Sequence, residues 1–443
     1  MKPSRRRRYL TILAAAAAGC AAPLPVPPPE PADTASQPVA DTIVTPEPEP
    51  LPDDVSTVPG PAGAVEPTIR IGLMANISGV RISSTGDLLF SSEAGSVTVP
   101  ALDTIRVAAG RDGLTSPDAA RGLSGAEAVT VTPLAPYGYI SVDGRPYRGT
   151  VVLRRNGAGL TAVNVIGLES YLAGVLPLEM GRLGQGDLEA LKAQAVVSRT
   201  YALRNMGKRD RDGFDLLGTV ADQVYGGSEV ETPLAWRAVR ETAGQVVTYQ
   251  GEPIDAFFFS TCGGRTADGT EVYANADRPY LRSIADVDAS GLAWCRESPR
   301  FRWEVNWSAA ELLSILRGTL PPATGQVIAD GDRVRGVRIQ RRTRSDRAET
   351  IVIDLGNRRV TATGPEVRQV LRPAPGEILR SAAFDLHEEH RGGALTGIRA
   401  EGRGAGHGVG LCQWGAIGRA RAGFRYDQIL SAYYPGTTLT QAY

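Results

Sequence analysis

The sequence predicts an α+β fold behind an N-terminal leader and tether, and three observations carry that expectation. Short β-branched runs separated by Gly, Asp, Asn and Pro fill the chain from Thr68 to about Ile166, and helical periodicity begins only at Leu168. Strands and helices never settle into regular βαβ alternation, and no fixed period marks a solenoid or propeller. A length of 443 residues allows two or three ordinary domains with ample chain for a core. The 48 basic and 48 acidic residues cancel. With no basic excess, and no run interleaving basic with aromatic residues, nothing is present to track a phosphate backbone, so nucleic acid is not an expected partner.

The chain opens on an address. "MKPSRRRRYLTILAAAAAGC" joins a basic stretch to a short apolar one and ends in small residues at Cys20, the pattern of a signal peptide over 1–20. It is too short to remain as a spanning helix. Arg6-Arg7-Arg8-Tyr9-Leu10 resembles a twin-arginine export signal, with Arg5 where that pattern prefers Ser or Thr. Gly19-Cys20 resembles the lipobox of bacterial lipoproteins, although Ala17 stands where leucine is usual. Cys20 is therefore the lipidation candidate, and an exported, membrane-anchored envelope protein is expected; an ordinary cleaved signal is the alternative. Residues 21–67 are rich in Pro, Ala, Glu and Asp, with no Lys, Arg or aromatic residue. Such a segment cannot bury enough apolar surface to offset its ordering entropy. As a polyproline II tether, at about 3.1 Å per residue, it reaches on the order of 100 Å.

The folded part is expected over 68–443. "TIRIGLM", "VRISS", "SVTVP", "TIRVAAG", "AVTVTPL", "YISVDG", "GTVVLRR" and "LTAVNVI" read as strands. Leu168 to Leu176 reads as a short helix. Asp187 caps a longer one, ending at Gly207, in which Leu188, Leu191, Ala195, Ser198 and Ala202 share one face. Trp236–Thr242 reads as helix and "GQVVTYQGEPIDAFFFSTCGG" as strands. Trp303–Leu316 contains a helix, Val334–Ile353 strands, and Leu411–Ala422 a helix closed by Gly423. Residues 297–392 are expected to form an inserted β-rich subdomain.

Glu179 lies between Leu178 and Met180, behind Leu176 and Pro177. Apolar surroundings disfavour the charged form and raise a carboxyl pKa, which suits an acid that must be protonated near neutral pH. From the residues alone, a glutamate in a first helical turn, favoured by the dipole, is the preferred reading of Glu179; Glu169 is an alternative acid but reads better as such an N-terminal charge. Lys192 and Arg199 lie seven apart, two turns along one helix face. With Gln194 they are either ligand contacts or a solvated surface. "GRGAGHGVGLCQWG" has no G-x-G-x-x-G in register and no strand and acidic partner, which excludes a dinucleotide site. Its glycines permit positive φ and close approach, either to present His407, Gln413 and Trp414 to a ligand or to make a tight turn around a buried histidine. His387 and His390, in "HEEH", lack the spacing of a zinc protease and read as surface.

Taken together, "GLESYLAGVLPLEM", "LEALKAQAVVSRTYAL", "DQVYGG", "DAFFFSTCGGRT", "PYLRSIAD" and "GRGAGHGVGLCQWGAIGRARAGFRYDQILSAYYPGTTL" resemble the successive blocks of the stage II sporulation protein D family, the SpoIID/LytB domain. The resemblance implies helices around an active-site groove and an action on peptidoglycan. It implies one of two functions: a lytic transglycosylase that cuts glycan strands and leaves anhydro-muramyl ends, or a non-catalytic wall-binding module that enhances a cell-wall amidase. A transglycosylase needs one carboxyl, which protonates the glycosidic oxygen and then takes the proton of the sugar's own C6 hydroxyl; hydrolysis uses two carboxylates. Glu179 matches the family's catalytic glutamate, followed here by Gly181 where the family often has proline. Lys192, Gln194 and Arg199 match polar positions implied to hydrogen-bond sugar hydroxyls, N-acetyl groups or the lactyl carboxylate, Arg in a bidentate manner. Tyr225, Tyr433 and Tyr434 either stack on sugars or fill the core. Sporulation itself does not follow from the resemblance.

After Cys20 there remain Cys262, Cys295 and Cys412, and an exported protein can keep disulfides. The resemblance places Cys262 and Cys295 in its central block and implies a bridge between them, leaving Cys412 over and no cofactor. The alternative is zinc, which some members hold with Cys and His near this block: Cys262, Cys295, Cys412 and His407 make a Cys₃His set. Phe259 stands in the neighbourhood where the family often has a histidine.

Overall fold

The computed structural model describes residues 65–116 and 123–443. The expected leader, Cys20 and all but the end of the tether lie outside the described residues. No helix among the described residues is long and apolar enough to cross a membrane.

The β-rich N-terminal part forms two sheets. One runs in the order Leu216–Leu217, Thr68–Ile77, Gly159–Gly167, Thr150–Asn156, Ala128–Pro133, Leu88–Ser92 and Gly95–Val99, antiparallel throughout except for the first pair. The other is antiparallel, in the order Gly113–Thr115, Thr104–Gly110, Gly79–Ser83, Ile140–Val142 and Arg145–Tyr147. Alternation sets the register: Val151 and Leu153 are wholly buried and lie directly opposite Val131 and Val129. Gly159–Gly167 loses that alternation because both its faces are covered, and it feeds without a loop into the first helix.

That helix, α1, spans Leu168–Met180, and α2 follows over Leu188–Arg204. The others are α3 (Pro233–Glu241), α4 (Ala309–Thr324), α5 (Glu366–Val370), α6 (Gln413–Arg421) and α7 (Tyr426–Tyr433). Proline was expected to end α1 at Leu176, because Pro177 lacks the N–H of a helix interior. Instead α1 continues for one more turn, anchored by buried Leu176 and Met180, and stops where Gly181 takes φ 74° and donates to the Pro177 carbonyl. This places Glu179 in a last helical turn, not a first. α2 departs from expectation more strongly. It packs on α1, α3, α6, α7 and the strand Gln245–Tyr249, so nearly its whole circumference is interior, Gln194 and Arg199 included.

A second hydrophobic core gathers Trp303, Trp307, Leu312, Leu316, Ile351, Val367 and Phe384. Around it stand α4, α5 and two three-stranded sheets, one of Arg302–Ser308, Ala394–Arg403 and Phe384–Arg391, the other of Gly336–Arg342, Ala348–Asp354 and Arg359–Thr363. Ser308 starts α4 with a reciprocal cap: its hydroxyl accepts from the Glu311 N–H at 3.2 Å and the Glu311 carboxylate accepts from the Ser308 N–H at 2.8 Å. Residues 272–301, whose buried apolar side chains belong to the first core, contain no helix or strand ladder, only isolated bridges.

Candidate active site

Glu179 projects half-buried from the last turn of α1, between Leu178, which is 43% exposed, and buried Met180. Its Oε1 accepts the Val224 N–H at 3.0 Å, and the Gln413 side chain, at the start of α6, faces the same carboxyl. Burial pushes the Glu179 pKa up, and the two amides pull back only part of that rise. The negative end of the α1 dipole acts in the same direction as burial. A glutamate here is poorly placed for stability and well placed to hold a proton.

Two buried amides in this region lack a well-formed hydrogen bond at Nε2. Gln413 is 7% exposed, and its side chain faces Glu179 closely enough to lower that pKa without an aligned bond from Nε2. Gln223, wholly buried and next to Val224, accepts from the Tyr171 hydroxyl at 3.3 Å but leaves its Nε2 unpaired. Buried orphan donors are rare in folded proteins and fit a site that a ligand completes. The adjacent acid, Asp222, is fully engaged by the Leu217 N–H, the Tyr201 hydroxyl, Lys208 and Arg209. Burial alone would raise its pKa, but those bonds outweigh burial and hold it below the ordinary carboxylate range. Of the two carboxyls, Glu179 is the one whose pKa its surroundings raise.

Of the residues read as substrate contacts, only Gln413 is brought against Glu179. Lys192 is clamped between Glu189 at 2.7 Å and Glu241 at 2.5 Å, with its ammonium 5.8 Å over the Tyr426 ring. Gln194 is wholly buried and donates to the Ser198 hydroxyl at 3.1 Å. Arg199 is also wholly buried, in a two-pronged pair with Glu169 at 2.8 and 2.5 Å, and its third nitrogen donates to the Gln245 carbonyl. Glu169, expected as a helix-start charge, does stand in the first turn of α1, and it is buried there as the counter-ion of Arg199. Tyr225 donates to Asn164 at 2.9 Å and packs 5.1 Å from Tyr171, in the core. Tyr433 and Tyr434 are core residues as well. These positions are polar because the interior is wired by hydrogen bonds, not because they face a ligand.

His407 belongs to a different neighbourhood. Nε2 donates to the Phe258 carbonyl at 2.8 Å while Nδ1 accepts the Val409 N–H, so both ring nitrogens are satisfied. Burial lowers its pKa to about 4, leaving it neutral. With Glu271, Tyr273, Arg347 and Arg368 it lines a cavity of about 210 Å³. The glycines around it do take positive φ, but what they approach is protein. At Gly410, with φ 78°, an added Cβ would lie 2.0 Å from the Phe257 carbonyl oxygen. Gly410→Ala is expected to destabilise the fold by at least about 1–3 kcal/mol, read as a lower urea midpoint.

Residues 156–249, which carry α1, α2 and the Asp222–Val224 segment, match the family model described as Stage II sporulation protein. Stage II sporulation protein D of Bacillus subtilis is 32% identical over 296 residues, covering 63% of this chain and 76% of that protein. The chain belongs to the stage II sporulation protein D family. An uncharacterized protein of Brachyspira hyodysenteriae is 31% identical over 300 residues, 68% of this chain and 73% of its own. The Amidase enhancer of Bacillus subtilis is 32% identical over 336 residues, but this chain spans only 45% of its length. Residues 290–410 match a second model, Domain of unknown function (DUF8618), which covers most of the second core.

The cysteines of this family member do not follow the expected pairing. Cys262 and Cys295 keep their sulfurs 3.4 Å apart as free thiols, against about 2.05 Å for a disulfide. Cys412 is not left over: its Sγ accepts the backbone N–H of Cys262 at 3.1 Å. The fourth group facing these sulfurs is Asp286, not His407. Nothing in the periodicity of "SIADVDASG" marked that aspartate beforehand.

Proposed function

We propose that this protein cleaves peptidoglycan glycan strands as a lytic transglycosylase, with Glu179 as acid and then base. One observation carries the reading: a single carboxyl with a raised pKa, at a helix C-terminus, faces the unsatisfied amide of Gln413, while the neighbouring Asp222 is held ionised and tied down. A lone carboxyl with a raised pKa suits a reaction in which one group gives a proton to the glycosidic oxygen. As carboxylate it then takes the proton of the C6 hydroxyl as that oxygen closes the anhydro ring on C1. Paired carboxylates, as in hydrolytic cleavage, are not called for. The Val224 N–H and the Gln413 amide stabilise the intervening carboxylate, and Leu178, exposed and adjacent in the chain, offers apolar contact to a sugar face beside it.

The test is to incubate the protein with intact and with peptide-stripped glycan strands and to seek anhydro-muramyl ends by mass spectrometry. Strands bound without such ends would replace this reading with the second one, enhancement of a cell-wall amidase, which the Amidase enhancer relative favours.

The amides near Glu179 also fix a pH effect. The acid form is lost as pH rises through the Glu179 pKa, and Gln413 lowers that pKa. Gln413→Leu is therefore expected to move the alkaline limb of the pH–rate profile for anhydro-end formation to higher pH. A limb that stays put would remove Gln413 from contact with the acid.

A further inference from the structure

We propose that Cys262, Asp286, Cys295 and Cys412 bind one Zn²⁺ ion in a closed, structural site. One ligand atom from each, three sulfurs and a carboxylate oxygen, lie within 4.8 Å of one another, and all four residues are at most 2% exposed. Zinc–thiolate bonds of about 2.3 Å in a tetrahedron put sulfurs roughly 3.8 Å apart, so the group needs only small adjustments around an ion. The 3.4 Å between Cys262 and Cys295 Sγ and the 3.1 Å from Cys262 Sγ to Asp286 Oδ2 already approach that spacing.

A disulfide would account for two of these residues and leave a buried thiol and a buried carboxylate beside it. A cation accounts for all four. The surroundings are those of metal-bound thiolates: Cys412 Sγ accepts the N–H groups of Cys262 and of Gly415 at 3.1 and 3.2 Å, and Cys262 Sγ that of Gly264 at 3.3 Å. The carboxylate is oriented as metal-bound carboxylates are by outer partners. Arg419 holds Oδ1 at 3.0 Å and the Tyr433 hydroxyl donates to Oδ2 at 2.8 Å. With no exposed ligand position the site has no room for a reactive water, which makes it structural.

The placement explains what such an ion would do. Asp286 and Cys295 lie in the stretch 272–301, which has no helix or strand ladder yet buries Tyr280, Leu281 and Ala293. Long irregular segments inside a compact domain are uncommon and need a tie. Cys262 closes the strand segment Phe258–Phe259, and Cys412 caps α6, one residue before Gln413. The ion would therefore pin the loop, the α6 start and the amide that faces Glu179 to one point.

Elemental analysis of the purified full chain, expressed with zinc in the medium, decides the matter together with thiol counting. The expected result is one zinc per chain, the thiols of Cys262, Cys295 and Cys412 unreactive until a chelator is added whatever the state of Cys20, and no mass loss from a disulfide. Asp286→Ala should weaken binding by more than the roughly 10–100-fold that loss of an outer-shell partner costs, and His407→Ala should leave it unchanged. Cobalt substitution should give sulfur-to-metal charge-transfer absorption in the wild type and in His407→Ala. Metal-free protein with either a Cys262–Cys295 disulfide or three titratable thiols would overturn the proposal. Zinc lost from His407→Ala but kept in Asp286→Ala would overturn the ligand set. None of these readouts depends on glycan cleavage.

Discussion

Glu179→Gln is expected to lower the formation of anhydro-muramyl ends by about 10²–10⁴-fold, the usual contribution of a positioned general acid–base, while leaving the fold intact. The substitution keeps the shape of the side chain, and its oxygen can still accept the Val224 N–H, but an amide neither gives up a proton to a leaving oxygen nor takes one from a C6 hydroxyl. Stability should move the other way. A carboxyl whose pKa is raised by folding contributes its full share below the unfolded value of about 4.3, and that share is lost as pH rises through the folded value. At neutral pH the folded protein therefore carries a cost for holding Glu179, and the neutral amide relieves it. A variant with lost activity and an unchanged or higher urea midpoint supports the assignment. Equal losses in both would recast Glu179 as a structural residue.

The largest effect on the fold itself is expected at Arg199. Arg199→Met should cost about 3–5 kcal/mol, because it strands the Glu169 carboxylate in the interior with only the Gly244 N–H and the Tyr443 hydroxyl for company. Arg199→Lys should also be markedly destabilising, since an ammonium cannot serve both carboxylate oxygens and the Gln245 carbonyl with one planar fork. Pairing Arg199→Met with Glu169→Leu should recover part of the loss, as buried ion pairs replaced by apolar residues often do. Denaturant midpoints across this cycle give the coupling; additive losses would mean the pair is not a unit.

These two residues show what could and could not be read from the chain. The half-buried, pKa-raising surroundings of Glu179 were legible because its apolar neighbours state them locally: Leu176, Pro177 and Leu178 travel with it wherever it goes. Arg199 and Gln194 were not, because a polar residue on a helix looks the same from sequence whether it meets water or a buried partner thirty residues away. α2 violates the one-faced pattern for that reason: the surrounding elements, not its own periodicity, decide that it is central. The strands and helix types were legible from alternation and turn residues, whereas the end of α1 was misplaced by one turn, since tertiary burial of Met180 overrides the proline. Asp286 was invisible because its meaning lies in sulfurs brought from Cys262, Cys295 and Cys412 by the fold. Gln223 and Val224 sat within a motif already noticed, but a backbone N–H leaves no mark in a side-chain pattern.

The Tyr443 hydroxyl reaches Glu169, and the strand Thr438–Gln441 lies against Gln245–Tyr249 beside α2. The centre of the molecule is therefore closed by partners some 274 positions apart. Loops of that span must be brought together before the contacts repay them, which makes assembly slow and late rather than progressive. A nascent chain lacking its C-terminal strand would hold α1 and α2 with the Arg199–Glu169 pair formed but without the Tyr443 hydroxyl bond, and with an open flank. Kinetically, this fold behaves as a clasp: it cannot shut from the N-terminal side alone.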